Sequence, residues 1–229
     1  MMQNMQATVS KGDFIEIKFT GYVDGKPFDS NISEDLKNVH EKAAPEKTII
    51  IVGQQMVVSG MDKALLEKEF NKEYHIKLSP KEAFGSRRTD LVRTIPLKVF
   101  VQQNVQPHPG TTFVLDNQLA KVIAVSGARV ITDFNNPLAG KEIEYKFIIE
   151  RIVTDIKEKV EAVCNLLFKF IPEIELENNI ITLKGPKILE HFINHNQLKF
   201  KEFLGTEVAF KEVEQPKMSD SENNSSTLR

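Results

Sequence analysis

Ten residues near the start of the chain, FIEIKFTGYV at 14–23, constrain the fold more than any other stretch. Ile15, Ile17 and Phe19 fall on one face and Glu16, Lys18 and Thr20 on the other, the two-residue period of a half-buried strand. The run ends on Asp24-Gly25, a pair that accepts positive φ and closes two-residue hairpins. A strand, a tight turn and a return leg therefore open the fold. The return leg, Lys26-Pro27-Phe28-Asp29, carries a second aspartate. Asp29 is either one more solvated turn carboxylate, a common use of the residue, or a group placed for a purpose.

Other segments repeat the strand signal. TIIIV at 48–52 reads as a buried strand, and EYHIKL at 73–78 alternates through Tyr74, Ile76 and Leu78. IEYKFIIERIV at 143–153 puts Ile143, Tyr145, Phe147 and Ile149 on one face. Between the strands, Ser59-Gly60 precedes a short helix. Asp62 suits its positive N-terminal end, and the charged run 62–73 reads as its solvated face. Residues 31–47 are polar and show no clear period. Residues 86–135 change character: Pro96, Pro107 and Pro109 break them up, and short strands joined by tight turns, one at Ser126-Gly127, form a small β-rich unit inserted into the first domain.

The last third mixes helix and strand. Ile156, Val160, Val163, Leu167 and Phe170 recur at 4-3-4-3 spacing, an amphipathic helix stopped by Pro172. EIEL and IITL flank Glu177-Asn178-Asn179 as a hairpin. Pro186 opens a second helix with Leu189, Phe192, Ile193, Phe200, Phe203 and Leu204 as its stripe, Gly205 ends it, and TEVAFKEV is a last strand. Residues 215–229 lack apolar residues to pack and are expected to be disordered. The fold class is α+β, with strands dominating the first two thirds.

Composition narrows the chemistry. With 229 residues and a net charge of −2, nothing calls for nucleic acid or acidic lipid as a partner. No apolar run is long enough for a membrane span and the N-terminus lacks a signal-peptide pattern, so a cytoplasmic protein is expected. The single cysteine, Cys164, cannot form an intrachain disulfide and sits beside an apolar helix stripe, as a small core residue would. His191 and His195 lie four apart on a predicted helix but lack the Glu of H-E-x-x-H and a third ligand, so no metal is expected. Nucleophile-elbow, phosphate-loop and dinucleotide motifs are missing. Any reaction here needs neither covalent intermediate nor cofactor.

Four segments in order carry a resemblance. FTGYV-DGKPFDSN, VVSGMDKALL, PKEAFGSR and NNPLAGKEIEYKF resemble successive motifs of the FKBP-type peptidyl-prolyl isomerases. The gap between AFG and NNPLAGK is similar to the SlyD-like branch, which carries an insert-in-flap domain that binds unfolded chains. With a further C-terminal domain, the chain resembles the long archaeal FKBP chaperones. The resemblance implies a half-wrapped antiparallel sheet around a short helix, an isomerase domain formed by 1–85 and 136–153, an insert at 86–135 and a C-terminal α+β domain at 154–214. It implies a proline slot with Asp29, Phe28, Val58, Phe84 and Tyr145 as catalytic positions and Phe19, Val57 and Met61 binding substrate. The Val58 N–H would be the donor to a substrate carbonyl, and Asp29 would orient the slot's polar edge.

On pattern alone, Phe19, Phe28, Val57, Val58 and Tyr145 read as plain core residues. Three positions depart from the family: Phe19 and Phe84 replace tyrosines, and Met61 replaces a frequent tryptophan. Retained but slower isomerisation and weaker binding of the family's macrolide inhibitors are therefore expected. Residues 215–229 hold no histidine, so the nickel-binding tail of SlyD is not carried over. The implied partners are unfolded or proline-containing polypeptides. A homodimer through the C-terminal domain is a further expectation, and a holdase or peptide-binding module with vestigial isomerase activity is the alternative.

Overall fold

The computed structural model describes residues 8–40, 42–102, 104–115, 118–178 and 180–213. The expected disordered run at 215–229 lies outside the described residues. The chain packs as two units. One comprises Glu16–Thr48 and Val52–Arg151; the other takes Gly12–Ile15, Ile49–Ile51 and the chain from Ile152 onward.

Strand β1 (Phe14–Val23) shows the expected alternation, with Ile15 and Ile17 buried. It turns through Asp24 (φ 51°) and Gly25 (φ 74°) into β2 (Lys26–Ser30), Val23 pairing with Lys26. Two successive left-handed residues make the turn whose twist matches an antiparallel hairpin. Helix α1 (Ser33–Val39) follows, where the sequence showed no period. Its one buried residue is Leu36, too little for an apolar stripe, while Glu34 and Asp35 complement the positive end of its dipole.

Strand β3 (Thr48–Ile51) pairs with β1. Helix α2 (Ser59–Ala64) stops after six residues. The charged run 62–73 is therefore not a helix face. Glu67 (φ 61°) and Asn71 (φ 57°) adopt left-handed backbone that a helix cannot contain. Strand β4 (Glu73–Leu78) completes this part of the sheet, and a capping box at Ser79 and Glu82 sets the following turn.

Residues 86–135 contain β5 (Val92–Pro96), the short helix α3 (Leu97–Gln102), β6 (Thr112–Leu115), β7 (Gln118–Ser126) and β8 (Arg129–Asp133). The strands form an antiparallel sheet in the order β5-β8-β7-β6. Phe100 on α3 packs with Val122 and Val130, its ring edge-on to Phe113 at 4.9 Å. The helix was illegible because its apolar residues sit between proline-rich flanks. Strand β9 (Ile143–Ile152) then returns, with Ile143, Tyr145, Phe147 and Ile149 buried as expected. It lies between β1 and β4, in the order β2-β1-β9-β4.

In the second unit, α4 (Ile156–Phe168) is capped by Asp155, whose side chain accepts the Glu158 N–H. It ends where Lys169 turns left-handed (φ 62°), before Pro172, and Phe170 is exposed rather than part of the stripe. Cys164 is buried, and burial pushes its thiol up to about 12, far from a reactive thiolate. Strands β10 (Glu173–Glu177) and β11 (Ile180–Gly185) form the expected hairpin. The single helix expected after Pro186 is two, α5 (Ile188–His195) and α6 (Gln197–Leu204), interrupted at Asn196, and Phe192 is exposed. Gly205 (φ 75°) caps α6, and β12 (Val208–Glu212) pairs parallel to β11. No helix among the described residues is long and apolar enough to cross a membrane.

Candidate active site

The hairpin that opens the chain is irregular at one residue. Gly21 pairs with Asp29 but Tyr22 pairs with Pro27, so Phe28 is an extra residue without a partner on β1. A bulge of this kind re-aims the side chains around it. Here two consecutive residues, Phe28 and Asp29, both act on Tyr145. The Phe28 and Tyr145 rings meet edge-on at 6.0 Å. Burial pushes the Tyr145 phenol up to about 12, and the negative charge of Asp29 adds to the rise.

The remaining rings extend this pair. Phe84 stands edge-on to Phe28 at 5.8 Å, and Phe19 is tilted against Tyr145 at 6.2 Å. The chain Phe84–Phe28–Tyr145–Phe19 draws on β1, β2, β9 and the turn after β4. Gly21 allows it. A Cβ on Gly21 would sit 2.7 Å from Phe28 Cζ and 2.9 Å from Tyr145 Cε1, closer than any side chain tolerates. A strand-interior glycine is a known sign of close approach, but the residues around Gly21 in the chain do not say which rings approach it.

Asp29 keeps an exposed edge, yet loss of hydration among apolar neighbours raises its carboxyl above the ordinary range. The Ser30 N–H and the charge of His40 oppose that rise.

Behind the rings lies a polar layer that the sequence reading missed. The Asn31 N–H donates to the Phe19 carbonyl at 3.2 Å, and Asn31 Oδ1 accepts from the Phe19 N–H at 2.8 Å. Asn31 Nδ2 donates to the Ile17 carbonyl at 2.8 Å and to Thr48 Oγ1 at 2.9 Å. The side chain thus continues the pairing along β1 beyond the end of β2. Thr20 Oγ1, fully buried, lies 2.8 Å from Ser30 Oγ and donates to Asp35 Oδ2 at 2.6 Å. These bonds satisfy buried polar groups and fix the strands that carry Phe19, Phe28 and Asp29.

The other expected positions come from the segment between β3 and α2 and from α2 itself. Met61 is 1% exposed, while Val57 and Val58 are half-buried. Val58 precedes α2 in extended backbone and its carbonyl accepts the Asp62 N–H at 3.0 Å. Among the described residues nothing accepts the Val58 N–H. Ser59 Oγ donates to the Glu82 carbonyl at 3.1 Å, and a Cβ on Gly60 would meet Leu78 and Glu82. This segment is thereby held against the turn that leads, two residues later, to Phe84. Asp62 lies in the first turn of α2, as expected, and its carboxylate also binds the loop before the helix. Its Oδ1 accepts the Gly53 N–H at 2.8 Å and its Oδ2 the Gln55 N–H at 3.0 Å.

The crossing to and from 86–135 is also tied. Asn135 Oδ1 accepts the Arg88 N–H at 2.8 Å, while its Nδ2 donates to the Arg88 carbonyl at 2.9 Å and to Asp133 Oδ1 at 2.6 Å. The Gly140 N–H donates to the Gly85 carbonyl at 2.8 Å.

Comparisons with known proteins give the family. The family model described as "FKBP-type peptidyl-prolyl cis-trans isomerase" matches residues 5–109, and one described as "FKBP26, IF domain" matches residues 93–138. The "Short-type peptidyl-prolyl cis-trans isomerase" of Methanocaldococcus jannaschii is 29% identical over 60% of this chain and 89% of its own length. The "FKBP-type peptidyl-prolyl cis-trans isomerase SlyD" of Haemophilus influenzae is 29% identical over 49% of this chain and 61% of its own length. That of Helicobacter pylori is 26% identical over 64% of this chain and 75% of its own length. The chain belongs to the FKBP-type peptidyl-prolyl cis-trans isomerases and, among them, is SlyD-like.

Proposed function

We propose that the chain rotates X–Pro bonds in the slot formed by Phe19, Phe28, Phe84 and Tyr145 with Val57, Val58 and Met61, and that residues 86–135 hold unfolded client chains beside it. The observation that carries the reading is the edge-on contact of Phe28 with both Phe84 and Tyr145, together with a Val58 N–H that has no acceptor among the described residues. Uncatalysed X–Pro rotation takes roughly tens to hundreds of seconds because the planar amide loses resonance on twisting. A twisted amide has less charge separation than a planar one, so an apolar slot disfavours it less than water does. A fixed N–H holds the carbonyl while the flanking chain turns, and binding is then expressed in the twisted state. Rotation transfers no proton. Asp29 orients the polar edge of the slot through Tyr145 and is not an acid–base catalyst.

The second role is supported by apolar residues exposed on the inserted sheet. Val114 and Leu119 face one another across β6 and β7, 63% and 51% exposed. Accordingly, residues 1–85 and 136–153 act as the isomerase domain and 154–214 as a separate C-terminal domain. Exposed Ile188 and Leu198 on α5 and α6 support self-association through that domain.

The exposed pair also favours a second reading, a holdase whose isomerase activity is vestigial. One comparison separates the readings: catalysis of a short X–Pro peptide and of proline-limited protein refolding, by the full chain and by a chain lacking 91–134. The proposal expects the deletion to spare the peptide reaction and to lose the refolding reaction. A full chain inactive on the peptide but still preventing aggregation of an unfolded protein supports the holdase instead.

A further inference from the structure

A buried carboxylate ties the loop between β3 and α2. Asp62 is 6% exposed, and both of its oxygens are spent on backbone N–H groups of that loop, Gly53 at 2.8 Å and Gln55 at 3.0 Å. Both partners have left-handed backbone, φ 84° at Gly53 and 55° at Gln55. For Gln55 such a conformation is unfavourable and persists only where its surroundings impose it. Three residues after Gln55 comes Val58, whose N–H has no acceptor among the described residues. One residue before Asp62 is Met61, buried at 1%.

From this we infer that Asp62 is a positioning residue for the isomerisation: by clamping the Gly53–Gln55 turn it holds the Val58 N–H where the substrate carbonyl must be received. The inference rests on the proposed isomerase reading of the slot. Two charge-assisted bonds from one carboxylate fix the turn in two directions at once, which a single neutral acceptor cannot do. An untethered loop would let Gln55 relax to negative φ, and Val58 would swing with it. A donor that must reorganise as the amide twists loses much of its value, because stabilisation of a transition state depends on groups already in place.

Asp62→Asn keeps the volume but offers one acceptor oxygen and turns an NH2 toward the second N–H. The expected result is a fall in kcat for a short X–Pro peptide of about ten-fold or more, the scale of a lost bond to a charged group, with KM nearly unchanged. Asp62→Glu restores the carboxylate on a longer arm and recovers part of kcat. Both are measured at temperatures where circular dichroism shows the variants fully folded, so lost stability alone would leave kcat at the wild-type value. Should Asp62→Asn fail to fold, amide hydrogen exchange in the wild type decides: Gly53 and Gln55 protected, Val58 fast. Wild-type kcat in a folded Asp62→Asn, or unprotected Gly53 and Gln55 in the wild type, would overturn the inference. An inactive wild type would instead overturn the isomerase reading beneath it.

Discussion

Phe28 Cζ lies 2.7 Å from the point a Cβ on Gly21 would occupy, so the ring rests directly on the backbone of the opposing strand. The bulge at Phe28 aims the ring there, and the absent side chain at Gly21 receives it. Gly21→Ala forces the Phe28 and Tyr145 rings apart. It should lower stability by about 1–3 kcal/mol, as overpacking does, and reduce kcat/KM toward X–Pro peptides. Thermal unfolding and exchange NMR check the two effects separately. An alanine variant with wild-type activity would show that the ring contacts do not shape the slot.

Asp29 links the site to pH. Its carboxyl is raised in the folded state above 3.8, mainly by lost hydration, so the folded protein holds this proton more tightly than the unfolded chain. The stability tied to the group is full below 3.8 and declines as pH rises through the folded value. Asp29→Asn removes that decline. The variant should melt higher than wild type at neutral pH, lose the advantage below the unfolded pKa, and isomerise more slowly throughout. Equal melting temperatures at neutral pH would contradict the desolvation at Asp29.

The same charge is readable on Tyr145. Of the three tyrosines, Tyr145 is pushed up to about 12 by burial first and Asp29 second. A phenolate absorbance titration should show one tyrosine ionising near that value, and Asp29→Asn should bring it down. Because burial is the larger cause, the shift should shrink without vanishing.

Much of this was legible in the residues. The alternation of 14–23 and the Asp24-Gly25 turn predicted the first hairpin, and Ile143, Tyr145, Phe147 and Ile149 fell on the expected face, because period and turn chemistry are local. The motif run also named Phe19, Phe28, Phe84 and Tyr145, which the structure brings into contact. Non-local features were hidden. Nothing in the spacing of Phe28 announces a bulge, since register depends on the strand opposite. Asp62 reads correctly as an acid in the first helical turn, but its hydrogen-bond partners, Gly53 and Gln55, were hidden because they precede the helix. Asn196 interrupts what reads as one continuous apolar stripe, and Lys169 ends α4 in a conformation no propensity scale assigns to lysine.

Asn135 joins the two crossings to the inserted sheet by three side-chain bonds to Arg88 and Asp133. Asn135→Ala leaves the Arg88 peptide groups without these partners, at a cost of about 1–3 kcal/mol. Isomerisation of a short peptide should survive, since no slot residue is touched, while catalysis of protein refolding should drop. Stopped-flow refolding of a proline-limited substrate beside peptide exchange tests this. A parallel loss of both activities would mean that the crossing supports the slot itself.

Phe84 stands where the resemblance to the FKBP-type isomerases implies a tyrosine, and it carries no hydroxyl. Phe84→Tyr should tighten binding of the macrolide inhibitors that FKBP-type proteins take by about 0.5–1.5 kcal/mol, the worth of one hydrogen bond. Calorimetric titration of both proteins measures it. Tight binding by the wild type would show that the hydroxyl is dispensable in this slot.

The most direct test is two-dimensional exchange NMR on a short X–Pro peptide with a substoichiometric amount of the full chain. Uncatalysed exchange, at roughly tens to hundreds of seconds, leaves no cross-peaks on the mixing timescale. Cis–trans cross-peaks are expected with the wild type and should nearly disappear with Phe28→Ala. No cross-peaks with the wild type, or equal cross-peaks with Phe28→Ala, would contradict the isomerase reading.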